Sequence, residues 1–412
     1  VGFTAKIITG YQLRETFLQR GNSKTYLNAI AFNLVLNHEY QIQKDIPSVD
    51  YEPLYPWLMN VAYSMSGPNW LALTIMQALL HLLTSFLIFK TCSALWNPVA
   101  GCMAGIYHSF YPYLFTYSLS VYDTTLFVFL LVTATYFILA NNHKLFHFII
   151  AGIVIGLAFL TRATIITFLP PFILFILYAF TKKSGIKNAL TRIGVLMLAC
   201  IITLAPWLIR NYGLTGKILI STHGAFGLWQ GNNDLSEFYL KNNISLDEIY
   251  RRTPPPEIYT KFPLTSRTPA DAIIAADNYK EETKNWIKEN PKTFVRIAFL
   301  KAQKLWTWNR NPKSSNPKFG SNEGRQYVNL IAYLPLLFCF PFGFWFLFKK
   351  NKAIALTILC ILICFTAAHM VAMGFTRARI PIDFLLMIFA GIALSEFLEM
   401  FMLKKVTTPK NG

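Results

Sequence analysis

Nine runs of mostly apolar residues, at 69–90, 96–115, 123–140, 145–160, 164–181, 192–209, 327–348, 353–372 and 380–401, set the first limit on what this chain can fold into. A helix that crosses a bilayer needs roughly 20 such residues, so the pattern predicts an all-α polytopic membrane protein. Composition agrees. The chain of 412 residues is 54% hydrophobic and only 14% charged. Soluble domains carry about 25% charged residues, so this chain cannot cover a water-facing surface in the usual way. A net charge of +18 would suit nucleic acid, yet the basic residues sit at the ends of apolar runs, so the bilayer is the expected partner and nucleic acid is not. The six cysteines lie inside or beside those runs without a C-x-x-C pair, and the i, i+4 pair Cys360 and Cys364 reads as helix packing. The chain opens at Val1, and no apolar span precedes the polar segment 20–53, which predicts a helix upstream of residue 1.

Lys and Arg in the short loops orient the spans. Alternating them puts Lys90, His143, Lys144, Lys182, Lys183, Lys187, Arg192, Lys349, Lys350, Lys352 and the tail lysines 404, 405 and 410 on one face, assigned to the cytoplasm. The expected division is a first extracytoplasmic loop at 1–68, spans at 69–209, an extracytoplasmic cap at 210–326, spans at 327–401 and a cytoplasmic tail at 402–412. Around Arg162 the run 145–181 must turn, with Pro170 and Pro171 packed or kinked in the second helix. Apolar residues at three and four spacing over 270–308 (Ala276, Tyr279, Trp286, Phe294, Ile297, Leu300) predict cap helices lying on the membrane surface or over the bundle.

Three outer stretches are more polar than packing requires: Gly21 to Asn28 followed by Asp50 to Trp57, then Tyr122 to Thr125, then the arginines Arg162, Arg210, Arg377 and Arg379. Arginines at helix ends often serve as headgroup anchors. Positive charge normally collects on the cytoplasmic side, however, and four outer arginines with Lys24 suit an anion such as a lipid phosphate. Asp123 opens a helix and is either its N-terminal cap or a general base, with Asp50 and Glu52 as further carboxylates. A carboxylate beside an anion clamp suits transfer of a group from a lipid-phosphate carrier. No cofactor is implied and no metal is assigned. A divalent cation on His223 with Asp50 or Glu52 is the alternative, without visible ligand spacing. His369, inside an apolar span, reads as hydrogen-bonded in the bundle, and no G-x-x-x-x-G-K-[ST] loop for ATP is present.

Pro53-Leu54-Tyr55-Pro56, Gly156 to Arg162, Ala205-Pro206-Trp207-Leu208-Ile209-Arg210-Asn211-Tyr212, Gly227-Leu228-Trp229-Gln230-Gly231-Asn232-Asn233 and Arg377-Ala378-Arg379-Ile380-Pro381-Ile382 together resemble C-type (GT-C) membrane glycosyltransferases. The group they resemble is the bacterial relatives of protein O-mannosyltransferases and of the lipid A aminoarabinose transferase. The resemblance implies a GT-C-like helix bundle with periplasmic loops and a small cap, in the bacterial inner membrane with its site facing the periplasm. It implies a polyprenyl-phosphate sugar donor, a glycan, lipid or protein acceptor, and inversion at the sugar carbon. On the matching positions it makes Tyr26, Tyr55, Asn232 and Asn233 substrate contacts and Asp123 the second acidic position. The family's first catalytic aspartate falls on Asn22, which cannot act as a carboxylate base, so Asp123, Asp50 or Glu52 takes that role or the chain binds lipid-linked sugar without transferring it. Two other readings stay open. An O-antigen polymerase or ligase would use a diphosphate-linked oligosaccharide. A transporter or flippase would show related halves, and none is visible.

Overall fold

The computed structural model describes residues 26–67, 70–141, 144–244, 246, 249, 256–261, 268–308 and 323–407. The chain is helical and is a multi-pass membrane protein. Among the described residues six helices are long and apolar enough to cross a bilayer: Trp70–Leu95, Ala163–Ser184, Ile186–Thr215, Tyr327–Lys350, Lys352–Val371 and Arg377–Met402. The three other apolar runs are helical but shorter. Pro98–Phe110 stops before Tyr111, because Pro112 restarts the chain as a separate short helix, Pro112–Ser118. Thr124–Thr135 ends in a π-helical turn at Tyr136–Ala140, and Leu145–Phe159 ends ahead of Arg162. The Ile186–Thr215 helix carries Pro206 and continues past position 209. Gly216, at φ 68°, closes it in the left-handed region with its N–H on the Tyr212 carbonyl at 2.7 Å.

Packing between spans relies on small residues. A Cβ at Gly152 would lie 2.3 Å from the Leu196 carbonyl oxygen, and one at Gly156 would lie 3.0 Å from that of Cys200. The Leu145–Phe159 helix therefore meets Ile186–Thr215 backbone to backbone, as small-x-x-x-small pairs allow in lipid. Gly152→Leu is expected to force the two helices apart and destabilise the protein by about 1–3 kcal/mol. Gly194→Ala, where a Cβ meets nothing within 4 Å, serves as the neutral control. Thermal unfolding in detergent measures both.

The two ends of the bundle differ chemically. Lys350 donates to the Trp96 carbonyl at 3.1 Å and lies over the Trp96 ring, joining the ends of two spans at the lysine-rich side. Near the opposite end of the Trp70–Leu95 helix, the Gln77 Nε2 donates to the Ser120 carbonyl at 3.1 Å and the Tyr55 hydroxyl donates to Gln77 Oε1 at 3.3 Å. A short antiparallel pair, Gln41–Gln43 with Ile46–Pro47, turns through Asp45 at φ 63° and sits against the helix Tyr26–Asn37.

The cap folds around its own core of Phe226, Trp229, Tyr279, Trp286 and Ile297. Thr268 and Asp271 cap the helix Pro269–Glu289 reciprocally, and Asn290 joins it to Pro291–Trp306. The two tryptophan N–H groups are bonded, Trp229 to Glu282 at 2.9 Å and Trp286 to Asp234 at 2.6 Å, so the cap buries indoles without leaving donors unpaired.

Candidate functional site

At the bundle end away from the lysines, three pieces of chain converge. The first is the segment 48–54, held on every side. The Thr222 and His223 N–H groups donate to the Val49 and Asp50 carbonyls at 3.1 Å each, and Leu54 N–H donates to the Leu160 carbonyl at 2.9 Å. The Tyr40 hydroxyl reaches the carbonyls of Tyr51 and Glu52 at 3.0 and 3.2 Å. Asp50, buried, accepts from the Thr222 hydroxyl at 2.8 Å, and Tyr51 stacks between Tyr26 and His223. Fixing this backbone aims the Glu52 side chain inward. Its Oε1 accepts from the Ser221 hydroxyl at 2.9 Å. Burial pushes its carboxyl up to about 7; the hydrogen bonds and Arg162 pull down, the negative charge of Asp123 pushes up, and burial wins.

The second piece is Asp123. It stands at the N-terminal cap position of Thr124–Thr135 but makes no cap bond. Its carboxylate instead accepts two hydrogen bonds from Arg162, Nε to Oδ2 and Nη2 to Oδ1, both at 2.5 Å. Arg162 Nη2 also donates to the Thr124 hydroxyl at 2.9 Å, and the guanidinium lies over the Phe127 ring. With side chains 24% and 17% exposed, this two-pronged pair keeps contact with the outside. The third piece is Arg377, which packs over the rings of Phe375 and of Tyr122, the residue before Asp123.

The other expected site residues have these partners. Arg210 ties the hairpin down, donating to the Ser48 and Tyr40 carbonyls and to Asn211 Oδ1, with Tyr40 and Trp207 on its faces. Arg379 is fully buried, pairs with Asp383 at 2.9 Å, donates to the Leu305 and Thr307 carbonyls and lies over Tyr333. Tyr55 donates to Gln77 Oε1 and stays at the site, next to Tyr122 and Asp123. Asn233 donates to the Trp229 carbonyl within its own turn, and the buried Asn232 accepts from Lys301 at 2.8 Å. Asn22 and Lys24 lie outside the described residues. Among the described residues no group of three His, Cys, Asp or Glu is placed to hold a metal. His369 Nδ1 lies 2.8 Å from the Phe365 carbonyl of its own helix. A cavity of about 630 Å³ opens in the cap beside Asn232, Asn233, Trp286, Glu257 and Glu289, but Glu52, Asp123, Arg162 and Arg377 do not line it.

Sequence reasoning missed Ser221, Asp383 and Lys301. Asp383 carried a signal, since it follows Arg379 by one helical turn. Lys301 did as well, as a charge in the apolar register of Ile297 and Leu305, and burial pushes its ammonium down to about 7. Ser221 carried none, because its partner lies 169 positions away.

Residues 47–209 match the family described as dolichyl-phosphate-mannose-protein mannosyltransferase. Among curated proteins no sequence relative was found. The apo oligosaccharyltransferase of Archaeoglobus fulgidus aligns with 98% of this chain and 51% of its own, at TM-score 0.54 and 15% identity. The same archaeal enzyme, AglB, in complex with an inhibitory peptide and a dolichol-phosphate aligns with 100% of this chain and 52% of its own, at TM-score 0.54 and 14% identity. ArnT from Cupriavidus metallidurans, bound to undecaprenyl phosphate, covers 90% of this chain and 76% of its own at TM-score 0.44 and 12% identity. The chain spans about half the length of the archaeal oligosaccharyltransferase. Residues 47–209 thus carry the mannosyltransferase family match, on a chain that shares its fold with the archaeal oligosaccharyltransferase.

Proposed function

We propose that this chain is a glycosyltransferase that moves a sugar from a polyprenyl-phosphate carrier to an acceptor hydroxyl on a glycan, lipid or protein, in the bacterial inner membrane and on its periplasmic side. The observation that carries this reading is the gathering of Glu52, the Asp123–Arg162 pair and Arg377 at the bundle end opposite the lysines. In the reaction, Glu52 removes the acceptor proton as the hydroxyl oxygen attacks the sugar carbon from the face opposite the phosphate. The carbon–oxygen bond to phosphate breaks with inversion, and the electron pair leaves on the phosphate, where Arg377 meets the growing charge. Asp123, held by Arg162, orients the acceptor. Glu52 suits the base role better than Asp123, because a carboxyl near 7 is both partly ionised and basic at neutral pH, whereas Asp123 already spends both oxygens on a guanidinium. Glu52 would also supply the carboxylate that Asn22 lacks.

Two pH effects follow from Glu52, with opposite signs. Turnover needs the ionised form, so kcat is expected to rise as pH increases through about 7. Stability runs the other way. The folded carboxyl binds its proton more tightly than an unfolded one, so between about 4.5 and about 7 the folded state holds more protons and loses stability as pH rises. Glu52→Gln should lower kcat by about 10²–10⁴-fold, remove the rise with pH, and flatten the difference in thermal stability between about pH 5 and about pH 8. A rise in kcat that survives Glu52→Gln rules this base out. Offering monophosphate-linked and diphosphate-linked sugars in one transfer assay tests the function, and transfer from the diphosphate alone would point to a polymerase or ligase instead.

A further inference from the structure

The motif Gly227 to Asn233 and the buried Lys301 have no part in the chemistry above, yet they meet at one junction. The helix Lys352–Val371 ends at the outer boundary, leaving its last carbonyls without helical partners. Val371 O is one of them. It accepts from Lys301 Nζ at 3.3 Å and from Asn232 Nδ2 at 2.9 Å, while Lys301 Nζ also donates to Asn232 Oδ1 at 2.8 Å. Lys301 and Asn232 are both 0% exposed. Among the described residues no carboxylate pairs with Lys301, and the negative end of the helix dipole takes that place.

Two glycines allow the approach. A Cβ on Gly231 would lie 2.0 Å from the Ala372 carbonyl oxygen and 3.2 Å from Lys301 Nζ, and a Cβ on Gly374 would lie 2.5 Å from the Lys301 carbonyl oxygen. The turn 371–375 is therefore clamped between two cap elements, and it leads directly into Phe375 and Arg377. A lysine that only filled space in the cap would not need to reach a carbonyl of a membrane span.

We propose that Lys301, acting with Asn232 through the 371–375 turn, is a positioning residue that aims Arg377 at the donor phosphate. The inference rests on the role given to Arg377 above. It also explains why the cap, which contributes none of the acid–arginine cluster after Thr222, is joined by buried polar bonds to the turn that leads into Arg377. Opening the clamp frees the turn, so Arg377 loses its place beside Tyr122 and meets the phosphate less often.

The test uses full-length protein in lipid nanodiscs, with hydrogen–deuterium exchange as one arm and transfer kinetics with polyprenyl-phosphate sugar as the other. Lys301→Met is expected to speed exchange in 372–379 and raise the donor KM about tenfold, with a smaller change in kcat. Lys301→Arg, which keeps the donors, should restore much of the loss. Asn232→Ala removes one side of the junction only, and reports if Lys301→Met does not fold. In an Arg377→Ala background, Lys301→Met should add little to KM, because both changes remove the same interaction. Exchange in 372–379 that Lys301→Met and Asn232→Ala leave unchanged overturns the inference, whatever the kinetics. An additive effect on KM in the Arg377→Ala background overturns it as well. Faster exchange with an Arg377→Ala enzyme of unaltered donor KM would sustain the clamp and instead remove Arg377 from the proposed reaction.

Discussion

Asp383→Ala is expected to lower stability by about 3–5 kcal/mol, the largest single-residue effect foreseen for this fold. Arg379 and Asp383 are both 0% exposed, so the substitution leaves a guanidinium buried without its counter-charge. The loss spreads further. Asp383 Oδ2 also accepts from the Tyr111 hydroxyl at 2.8 Å, and Arg379 Nη1 holds the Leu305 and Thr307 carbonyls at the foot of the cap at 3.3 and 3.0 Å. One pair therefore secures the break at Tyr111, the start of the last span and the exit from the cap. Arg379→Ala should cost a similar amount. Replacing both residues with leucine should cost far less than either alanine alone, since no uncompensated charge remains. Denaturant titration in mixed micelles separates the cases. Singles no worse than the double would show that the pair is not what holds these pieces together.

Arg162→Ala is expected to lower kcat/KM by about 10²–10³-fold while leaving the protein folded. Both Asp123 oxygens and the Thr124 hydroxyl depend on that one guanidinium, and its side chain is 24% exposed, so the change frees the carboxylate without opening the core. Asp123→Ala should cost about the same, because Arg162 then has no fixed direction. The double substitution should be little worse than either single, as expected of two groups that act as a unit. Losses that multiply would mean that the two residues act independently, and the pair would not be the unit described here.

The spans and the cap helices were legible because both are written in periodicity. Apolar runs give the first, and three-and-four spacing from Ala276 to Leu300 gives the second. Lengths were less legible. The run 96–115 looks continuous, but Pro112 and the bond from Tyr111 to Asp383 divide it. In the site, the residue types were readable and their partners were not. Arg162 and Arg379 look alike in sequence, each at the end of an apolar run. Arg162 meets Asp123 across 39 positions near the surface, while Arg379 is enclosed by Asp383, Tyr333 and cap carbonyls. Burial separates them, and burial of an end residue is decided by which loops fold over it. Asn232, a substrate contact by resemblance, is also bonded inside the cap to a lysine 69 positions away, a partner that the sequence did not show.

The central claim, sugar transfer from a lipid monophosphate by the cluster at the bundle end, has one direct measurement. Purified protein in lipid nanodiscs is given radiolabelled polyprenyl-phosphate sugar with cell-envelope acceptors, and release of polyprenyl phosphate is followed together with label in covalent product. Both should appear at equal rates in the wild type, and both should fall by about 10²-fold or more in Glu52→Gln. Label that crosses the bilayer still attached to its carrier, with no covalent product, would contradict the account and assign the fold to lipid transport.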